Sequence, residues 1–367
     1  MVNGNGVVTP VSPEARAAAF NAATRQKFVM VPVPDAFVAG AVQRILLPKV
    51  GLLSRVFLHF SGTLTVTVGG GTSVAAPRSP WNIASRIRLL ANSTLPLIDL
   101  SGFGTYVANL TTRWVGVFAR PGSFANAFTI ANVPQYEPPA QAEVARYGFA
   151  NGANVIDFSL ELPVKLTEQD PIGLIIAQNP QTQLTLEITN GAIADLATLA
   201  GGATATLTGQ WSVGMEYFEA PASESAMPDM TFVHVWQEQR YPVSATGIND
   251  LTLLTGDTYL KVAHVVQLNG TLNSADVTRV GVVFNSADQP YNLDRWLQLY
   301  RQRRIYGKDL GVGLFVHDFF VPETQRDMVN SALYSDLRTR VEIAAGATLG
   351  AGNNFIDVMT EKLVQVS

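Results

Sequence analysis

The side chains best suited to acid–base or metal chemistry are four histidines, His59, His234, His264 and His317. Each lies in an alternating, strand-like stretch, and no two have the four-residue spacing that puts two metal ligands on one face of a helix. His317 precedes Asp318, but neighbouring residues of a strand point to opposite faces, so this pair forms no catalytic dyad. The pattern therefore predicts four structural histidines.

Carboxylates are the second group that could carry chemistry, because a β-sandwich glycosidase needs only two of them at a suitable separation. Asp157 and Glu161 share the parity of one predicted strand, and Glu187 and Glu216 lie on two others. Spacing alone does not decide whether a pair converges in a cleft, and most carboxylates on alternating strands face solvent. The glycine-rich VGGGTS (68–73) lacks the lysine and the following helix of a phosphate-binding loop, so we expect a hairpin tip. Catalysis is not expected.

The composition narrows the function further. The chain has no cysteine, which excludes disulfides, thiolate zinc sites and a cysteine nucleophile. A net charge of −4 gives no general electrostatic reason to bind nucleic acid. Hydrophobic residues make up 47% of the chain and charged residues 15%, which indicates that much of the surface contacts other subunits. We therefore expect no cofactor, no metal and no specific nucleic-acid binding.

Two further features concern location. No apolar run approaches the roughly 18–20 residues that a membrane span requires. The N-terminal MVNGNGVVTPVSPEARAAAF lacks the basic start and the continuous apolar stretch of a signal peptide. Both features predict a protein made and used in a cytoplasm.

The segment 1–37 reads as an N-terminal arm that contains a helix over 12–27. Ser12 is a good N-cap, and Pro13 suits the first helical position. The apolar face is mostly alanine with one phenylalanine, which is thin for a core helix, so we expect it to dock on a neighbouring subunit or an anionic surface. The contact residues predicted for this arm are Arg16, Phe20, Arg25 and Lys27.

A second helix is predicted over 292–304, capped by Asn292, with an apolar face formed by Leu293, Trp296, Leu297 and Tyr300. A shorter helix is predicted over 323–333, and another over 103–111. The helix at 292–304 runs into a basic cluster, whose cations suit the negative end of a helix dipole. A solvated helix end, an inter-subunit ion-pair site and a phosphate contact all fit this cluster, formed by Arg301, Arg303, Arg304 and Lys308.

The remaining chain is dominated by two-residue alternation, which is typical of strands. The predicted strands are 52–68 with a break at Gly62, 86–90, 113–119, 154–164, 172–177, 183–189, 204–218, 231–238, 258–268, 277–284, 312–320, 338–344 and 355–366. Regularly spaced short strands favour sandwiches, and a jelly roll is the eight-stranded form. We predict an all-β fold of two tandem eight-stranded jelly rolls, 38–220 and 231–367, joined by a linker at 221–230.

A repeated motif supports the tandem arrangement. PWNI (80–83) and PYNL (290–293) share the pattern proline, aromatic, asparagine and aliphatic, and FSGTL (60–64) and LNGTL (268–272) precede them at similar offsets. A proline that fixes the exit from a loop, followed by a capping asparagine, would form the same structural turn twice. The residues of the two predicted turns are Pro80, Trp81, Asn82, Ile83, Pro290, Tyr291, Asn292 and Leu293.

The stretches VGLLSRVFLHFSGTLTV (50–66) and SPWNIASRIRLL (79–90) resemble the start of double jelly-roll major capsid proteins. These proteins coat tailless, internally membraned bacteriophages such as the tectiviruses, and they are related in fold to adenovirus hexon. Pro80, Asn82, Ile83 and Arg86 stand where that family has a similar Pro-x-Asn-Leu-x-x-Arg segment. The helix within YNLDRWLQLYRQRR (291–304) resembles one in the second roll, and no long tower-like insertion is evident here.

The resemblance implies a coat subunit rather than an enzyme. It implies homotrimeric, pseudo-hexagonal capsomers that tile an icosahedral shell in the virion, after assembly in the host cytoplasm. It also implies that the N-terminal helix faces the interior and meets neighbouring capsomers, other virion proteins such as vertex proteins, or the inner viral membrane. The alternatives are a tandem β-sandwich that binds or hydrolyses carbohydrate, and a minor vertex or spike protein.

Overall fold

The computed structural model describes residues 13–111, 149–167, 171–223, 226–307, 309–321, 327–350 and 352–366. The strands of the first half are β1 Gln26–Val31, β2 Val42–Leu46, β3 Leu52–Thr67, β4 Thr72–Ala75, β5 Ala84–Ala91, β6 Leu95–Leu100, β7 Gly152–Pro163, β8 Ile175–Ile176, β9 Leu184–Asn190, β10 Ala197–Ala200 and β11 Thr204–Phe218. The strands of the second half are β12 Phe232–Pro242, β13 Gly247–Thr252, β14 Thr258–Leu268, β15 Thr271–Leu272, β16 Val277–Phe284, β17 Asp288–Asp294, β18 Leu314–Asp318, β19 Val329–Asn330, β20 Leu337–Ile343 and β21 Phe355–Gln365. The α-helices are α1 Pro13–Ala23, α2 Gly102–Thr111, α3 Ile193–Leu196 and α4 Arg295–Tyr306, and 3-10 turns occupy Trp81–Ile83 and Ser331–Leu333.

Strand β3 shows how alternation produces the fold. Its even-numbered apolar residues all face the core, namely Val56, Leu58, Phe60, Leu64 and Val66. The break predicted at Gly62 is wrong, because β3 continues through this residue opposite Gly209 of β11. A Cβ atom at Gly62 would lie 2.5 Å from the Thr208 carbonyl oxygen and 2.8 Å from the Phe60 ring. The glycine therefore accommodates a ring within the strand instead of ending it.

The first half forms a sandwich of two sheets. One sheet has the strand order β1-β11-β3-β7, and β8 also pairs with β3. The other layer is formed by β6, β5, β9 and β2. Aromatic rings cluster on the core-facing side of the first of these sheets, because the Phe60 ring centroid on β3 lies 5.0 Å from Trp211 on β11 and 5.9 Å from Phe158 on β7. We call this unit the first sandwich.

The second half forms another sandwich, here called the second sandwich. One sheet has the order β13-β20-β16-β17, and the layer that faces it contains β12, β21 and β14, with β18 and β19 also paired to β14. Its core is mostly aliphatic, with valines from both layers such as Val262, Val266, Val280, Val282 and Val341.

The two sandwiches share one continuous ten-stranded sheet. The join is short, since β12 runs parallel to β6 through only the pairs Trp236–Ile98 and Gln237–Asp99. Strands β12, β21 and β14 are covered on both faces. One face contributes Trp236, Ala263, Val265 and Met359 to the core of the first sandwich, and the other contributes Val262, Val266, Ile356 and Val358 to that of the second.

Three helix predictions meet different outcomes. The helix at 103–111 is confirmed as α2. The helix at 12–27 ends at Ala23, because the chain turns to add β1 at the edge of the first sheet. The prediction for 323–333 is wrong over its described part, where β19 and a 3-10 turn follow each other. The strand predicted at 113–119 and residues 322–326 lie outside the described residues.

Candidate functional site

Helix α4 lies on the second sandwich with a polar face inward. Its N-cap is Asp294, not the predicted Asn292, and the Asp294 carboxylate accepts a hydrogen bond of 3.0 Å from the Leu297 backbone N–H. Gln298 and Gln302 are fully buried, and their side chains form hydrogen bonds to the β18 backbone of the kind that a neighbouring strand would form. Gln298 donates to the Val316 carbonyl at 2.6 Å, and the Gln302 side chain both donates to the Leu314 carbonyl and accepts from the Val316 N–H.

This orientation leaves the apolar face of α4 outside. Trp296, Leu297 and Tyr300 share a face as predicted, but they are 69%, 55% and 67% exposed. The Arg295 guanidinium lies 4.4 Å from the Trp296 ring centroid. Tryptophan, tyrosine and arginine are the residues most enriched at binding hot spots, so this face has the composition of a contact surface.

The three described members of the predicted basic cluster do not form one patch. Arg301 points inward, where it donates to the Asp318 carbonyl at 3.3 Å and lies 5.6 Å from the Tyr291 ring centroid. Arg303 forms an exposed two-pronged ion pair with Asp309 at 2.8 and 2.6 Å, while Arg304 is exposed. Lys308 lies outside the described residues. The helix therefore offers isolated cations rather than a concentrated phosphate site.

Two of the residues predicted for the arm contact other parts of the same chain. Phe20 is completely buried in a small cluster with Leu52 and Leu174, and its ring contacts Phe218 edge-on at 5.2 Å. The expectation that Phe20 meets a neighbour is therefore wrong. Lys27 lies on β1 rather than on the helix, and it pairs with Glu219. Arg16 and Arg25 remain exposed.

The two predicted turns are not equivalent. In the first, Trp81 and Ile83 are buried, and Trp81 stacks on Tyr106 with ring centroids 4.1 Å apart. Asn82 does not cap the turn, because its amide donates to the Asp195 carbonyl at 3.1 Å. Pro80 immediately precedes this 3-10 turn.

The second motif lies within strand β17 instead of a turn. There Tyr291 pairs with Val282 of β16, and the Asn292 amide donates to Gln289. Leu293 and Pro290 belong to the same strand. The upstream matches differ as well, because FSGTL lies inside β3 while LNGTL contains the turn between β14 and β15. The prediction of one turn used twice is wrong, since four residues of similar type fit both an edge strand and a 3-10 turn.

A buried ion pair ties the two sandwiches together. Arg78, just before the first 3-10 turn, pairs with Asp357 of β21, and it also donates to Gln267 at 3.1 Å. Arg240 of β12 binds the same carboxylate at 2.7 and 3.0 Å. Both guanidinium groups lie over the Phe355 ring. Two cations therefore share one buried carboxylate at the join.

Glu238 adds a second carboxylate beside this pair. It is hydrogen-bonded by the Ser101 backbone N–H and hydroxyl at the start of α2. Burial, and next the negative charge of Asp357, raise the pKa of Glu238 above its ordinary value. A Cβ atom at Gly104 would lie 2.5 Å from this carboxylate, so the glycine permits the close approach of α2.

A further buried cluster anchors the other end of α2. Lys261 of β14 donates to the Thr111 carbonyl at 2.9 Å and pairs with Glu361 at 2.8 Å. The other oxygen of Glu361 lies 2.9 Å from His234 Nε2. Sequence reasoning missed this join, because its members lie far apart along the chain and carry no local pattern.

The histidines lie on strands as predicted. His264 and His317 are fully buried in the second sandwich, and their ring centroids are 5.8 Å apart. Burial lowers the pKa of His264 to about 4. Burial, and then the charges of His264 and Arg301, hold the pKa of His317 well below 6.5.

Three of the four candidate carboxylates pair with arginines, and the fourth lies near a histidine. Glu161 and Glu216 converge on Arg55 at 3.2 and 3.4 Å, an arrangement typical of a structural ion pair. Burial raises the pKa of Glu161, and the charge of Arg55 opposes this effect. Asp157 lies 3.8 Å from His59 Nε2, and Glu187 pairs with Arg44 and Arg88.

Across the described ranges, no group of three or more histidine, aspartate or glutamate side chains is placed to hold a metal ion. None of the helices in the same ranges combines the length and the apolar character needed to cross a bilayer.

Comparison with solved structures identifies the fold. The chain is similar to the STIV MCP, with a TM-score of 0.68 at 12% identity over 93% of this chain and 97% of that chain. It matches a chain of Sulfolobus Turreted Icosahedral Virus with a TM-score of 0.64 at 11% identity, over 93% and 91%. It matches the major capsid protein P2 from bacteriophage PM2 with a TM-score of 0.54 at 11% identity, over 94% and 98%. No protein-family model and no curated protein matches the sequence.

These likenesses define the class of fold. The two sandwiches joined by a shared sheet form a double jelly roll, with inserted helices, as in the matched capsid proteins. The predicted fold class is therefore confirmed.

Proposed function

We propose that this chain is a major capsid protein that assembles as homotrimeric, pseudo-hexagonal capsomers into an icosahedral viral shell. The observation that carries the proposal is the near-complete coverage in both directions, 93% of this chain and 97% of the STIV MCP. The same architecture over this extent supports the same use of the fold. The role is structural rather than enzymatic, and the location is the virion, after assembly in a host cytoplasm.

The exposed apolar side chains support self-association. Besides the outer face of α4, Phe28 and Met30 are exposed on edge strand β1, and Val42 and Leu46 on edge strand β2. An edge strand presents unpaired backbone groups, which natural proteins cover or protect. Burial of these surfaces between subunits would stabilise a capsomer.

The proposed units follow the predicted boundaries with one change. The first roll spans 38–220, the linker 221–230 and the second roll 231–367, and β1 adds to the first roll. The arm is then the part of 1–37 that precedes Gln26. Its exposed Arg16 and Arg25 are the proposed contacts to neighbouring capsomers, vertex proteins or an inner membrane.

Light scattering coupled to size exclusion tests the trimer. The expected mass is three times 39.5 kDa, and a stable monomer would contradict the proposal. Electron microscopy of particles then tests the shell, and the copy number per particle separates a major coat protein from a vertex or spike protein. A glycan array and a glycosidase assay test the carbohydrate alternative, for which we expect no binding and no turnover.

The arm needs a separate test. Substitution of Arg16 and Arg25 by glutamine leaves the buried Phe20 in place, so the trimer should be preserved while shell formation is impaired. Lys27→Gln is the matched control, because this cation already pairs within the chain. Normal shells from the double variant would contradict a role of the arm in assembly.

A further inference from the structure

His317 is an unusual buried group. It is fully buried on β18, and neither ring nitrogen has a hydrogen-bond partner among the described residues. A buried polar group normally has such a partner, because losing water without compensation is unfavourable. A neutral imidazole tolerates this position far better than a charged one would.

Among the groups that shift the pKa of His317, one is a permanent cation, Arg301, and none is a carboxylate. From β14, the His264 ring lies perpendicular at 5.8 Å, and His264 itself is held by the Phe315 carbonyl and the Thr339 hydroxyl. From β17, the Tyr291 ring lies at 6.2 Å. From α4, the guanidinium of Arg301 acts on it, and burial is the largest of these influences on its pKa.

Two hydrogen bonds that hold α4 on β18 are made to the residues directly before and after His317. Gln298 donates to the carbonyl of Val316, immediately before His317, and Arg301 donates to the carbonyl of Asp318, immediately after it. Arg301 is thus both a fastening of α4 and a positive charge beside His317. Any change that raises the free energy of the Arg301 guanidinium in this position therefore weakens the binding of α4 to β18.

We propose that His317 and Arg301 form an acid-sensitive latch, in which protonation of His317 loosens α4 from the second sandwich. The proton places a second positive charge beside Arg301 and creates a buried ion without a countercharge. Loosening exposes His317 to water and separates the two cations. It also releases the helix that carries Trp296, Leu297 and Tyr300, so the presentation of this face depends on pH.

The direction follows from linkage. The closed state holds His317 below its ordinary pKa of 6.5, so the open state binds the proton more strongly. The closed state is therefore favoured above this pH and progressively loses its advantage below it. With an ordinary pKa of 6.5 in the open state, opening at pH about 4.5 becomes at most roughly 100-fold more favourable than at neutral pH.

Hydrogen exchange detected by mass spectrometry tests the latch in the full chain. Protection factors, which correct for the chemical exchange rate, are compared at pH about 7 and about 4.5 for α4 and for β3. In the wild type, protection of α4 should fall by up to about 100-fold more than that of β3. His317→Phe retains a ring and loses no hydrogen bond, so the acid-induced loss of α4 protection should be smaller than in the wild type.

Two further variants make the result decisive. Arg301→Gln removes the neighbouring charge, so the acid-induced loss of protection should be smaller, which tests the latch even if His317→Phe fails to fold. His59→Gln changes a partly exposed histidine of the first sandwich and should leave the loss unchanged. An equal fall in α4 and β3, or the same fall in wild type and His317→Phe, would overturn the proposal.

Discussion

The two sandwiches share an architecture but fill their interiors differently. The first uses packed aromatic rings, in which Phe60, Phe158 and Trp211 of one sheet contact one another and Phe37 packs on Phe60. The second uses valines and other aliphatic residues, and it also encloses His264 and His317. The aromatic core does not titrate, whereas the second core contains two groups that change charge in acid.

The difference shows which features the fold requires. Both interiors satisfy the need for apolar side chains on alternating positions of two facing sheets. The size and chemistry of those side chains differ freely between the halves. A repeated architecture therefore does not imply repeated motifs, as the two unlike settings of PWNI and PYNL demonstrate.

The largest effect is expected from Trp211→Ala, which removes the centre of the aromatic core. The free energy of unfolding should fall by about 3–5 kcal/mol, because a large cavity forms and Asn190 loses the indole N–H as its donor. Denaturant unfolding measures this change. The same substitution at exposed Trp296 should change stability by less than about 0.5 kcal/mol. Similar losses from both would show that the aromatic core is not a major source of stability.

Asp357→Asn tests whether the two sandwiches depend on each other. It leaves Arg78 buried without its full countercharge, so unfolding should become easier by roughly 3 kcal/mol. The control is Asp250→Asn, which weakens the more exposed pair with Arg340 and should cost under about 1 kcal/mol. Separate unfolding transitions in the Asp357 variant would identify the pair as the main coupling, and equal effects of the two substitutions would argue against it.

Acid should destabilise the second core selectively. Because the pKa of His264 is lowered to about 4, its neutral form stabilises the protein fully above pH 6.5, and this contribution declines as the pH falls towards 4. At pH about 5 the loss should be about 2 kcal/mol. Urea unfolding at both pH values should show a correspondingly smaller loss in His264→Gln, and no such reduction in His59→Gln. An unchanged acid loss in His264→Gln would contradict this assignment.

The smallest effect is expected at the start of α4. Asp294→Ala removes the N-cap and should destabilise the helix by about 1 kcal/mol, with little change elsewhere. Hydrogen exchange of residues 295–306 measures the local effect. Asp288→Ala, an exposed position near the start of the same strand, is the control. Equal exchange in the two variants would mean that packing on β18, rather than the cap, determines the stability of the helix.

The strands with a clear local pattern were predictable. Strands β3, β11 and β14 were placed within about a residue, because alternation or a continuous apolar run is visible without any knowledge of neighbours.

Strand β2 was missed for a physical reason. Each of its faces mixes polar and apolar residues, with Gln43 buried beside Ile45 and hydrogen-bonded to the carbonyls of Asp35 and Ala36, while Val42 and Leu46 point outward.

Only part of the arrangement of α4 was predictable from the sequence. Helical spacing shows that Trp296, Leu297 and Tyr300 share a face, but it does not show which face meets the protein. Here the backbone of β18 needed hydrogen-bond partners, and Gln298 and Gln302 supply them. The join was not predictable at all, because Arg78 and Asp357 are 279 residues apart in the chain.

The position of β21 has a consequence for the order of events during synthesis. This strand, the last in chain order, lies between β12 and β14 in the middle of the shared sheet. A nascent chain that lacks it has a gap where both sandwiches meet, and Arg78 has no carboxylate to bind. Although domains generally fold as they leave the ribosome, the shared sheet is complete only after residues 355–365 have emerged, so the second sandwich and its join to the first form after the strands of the first sandwich have been made.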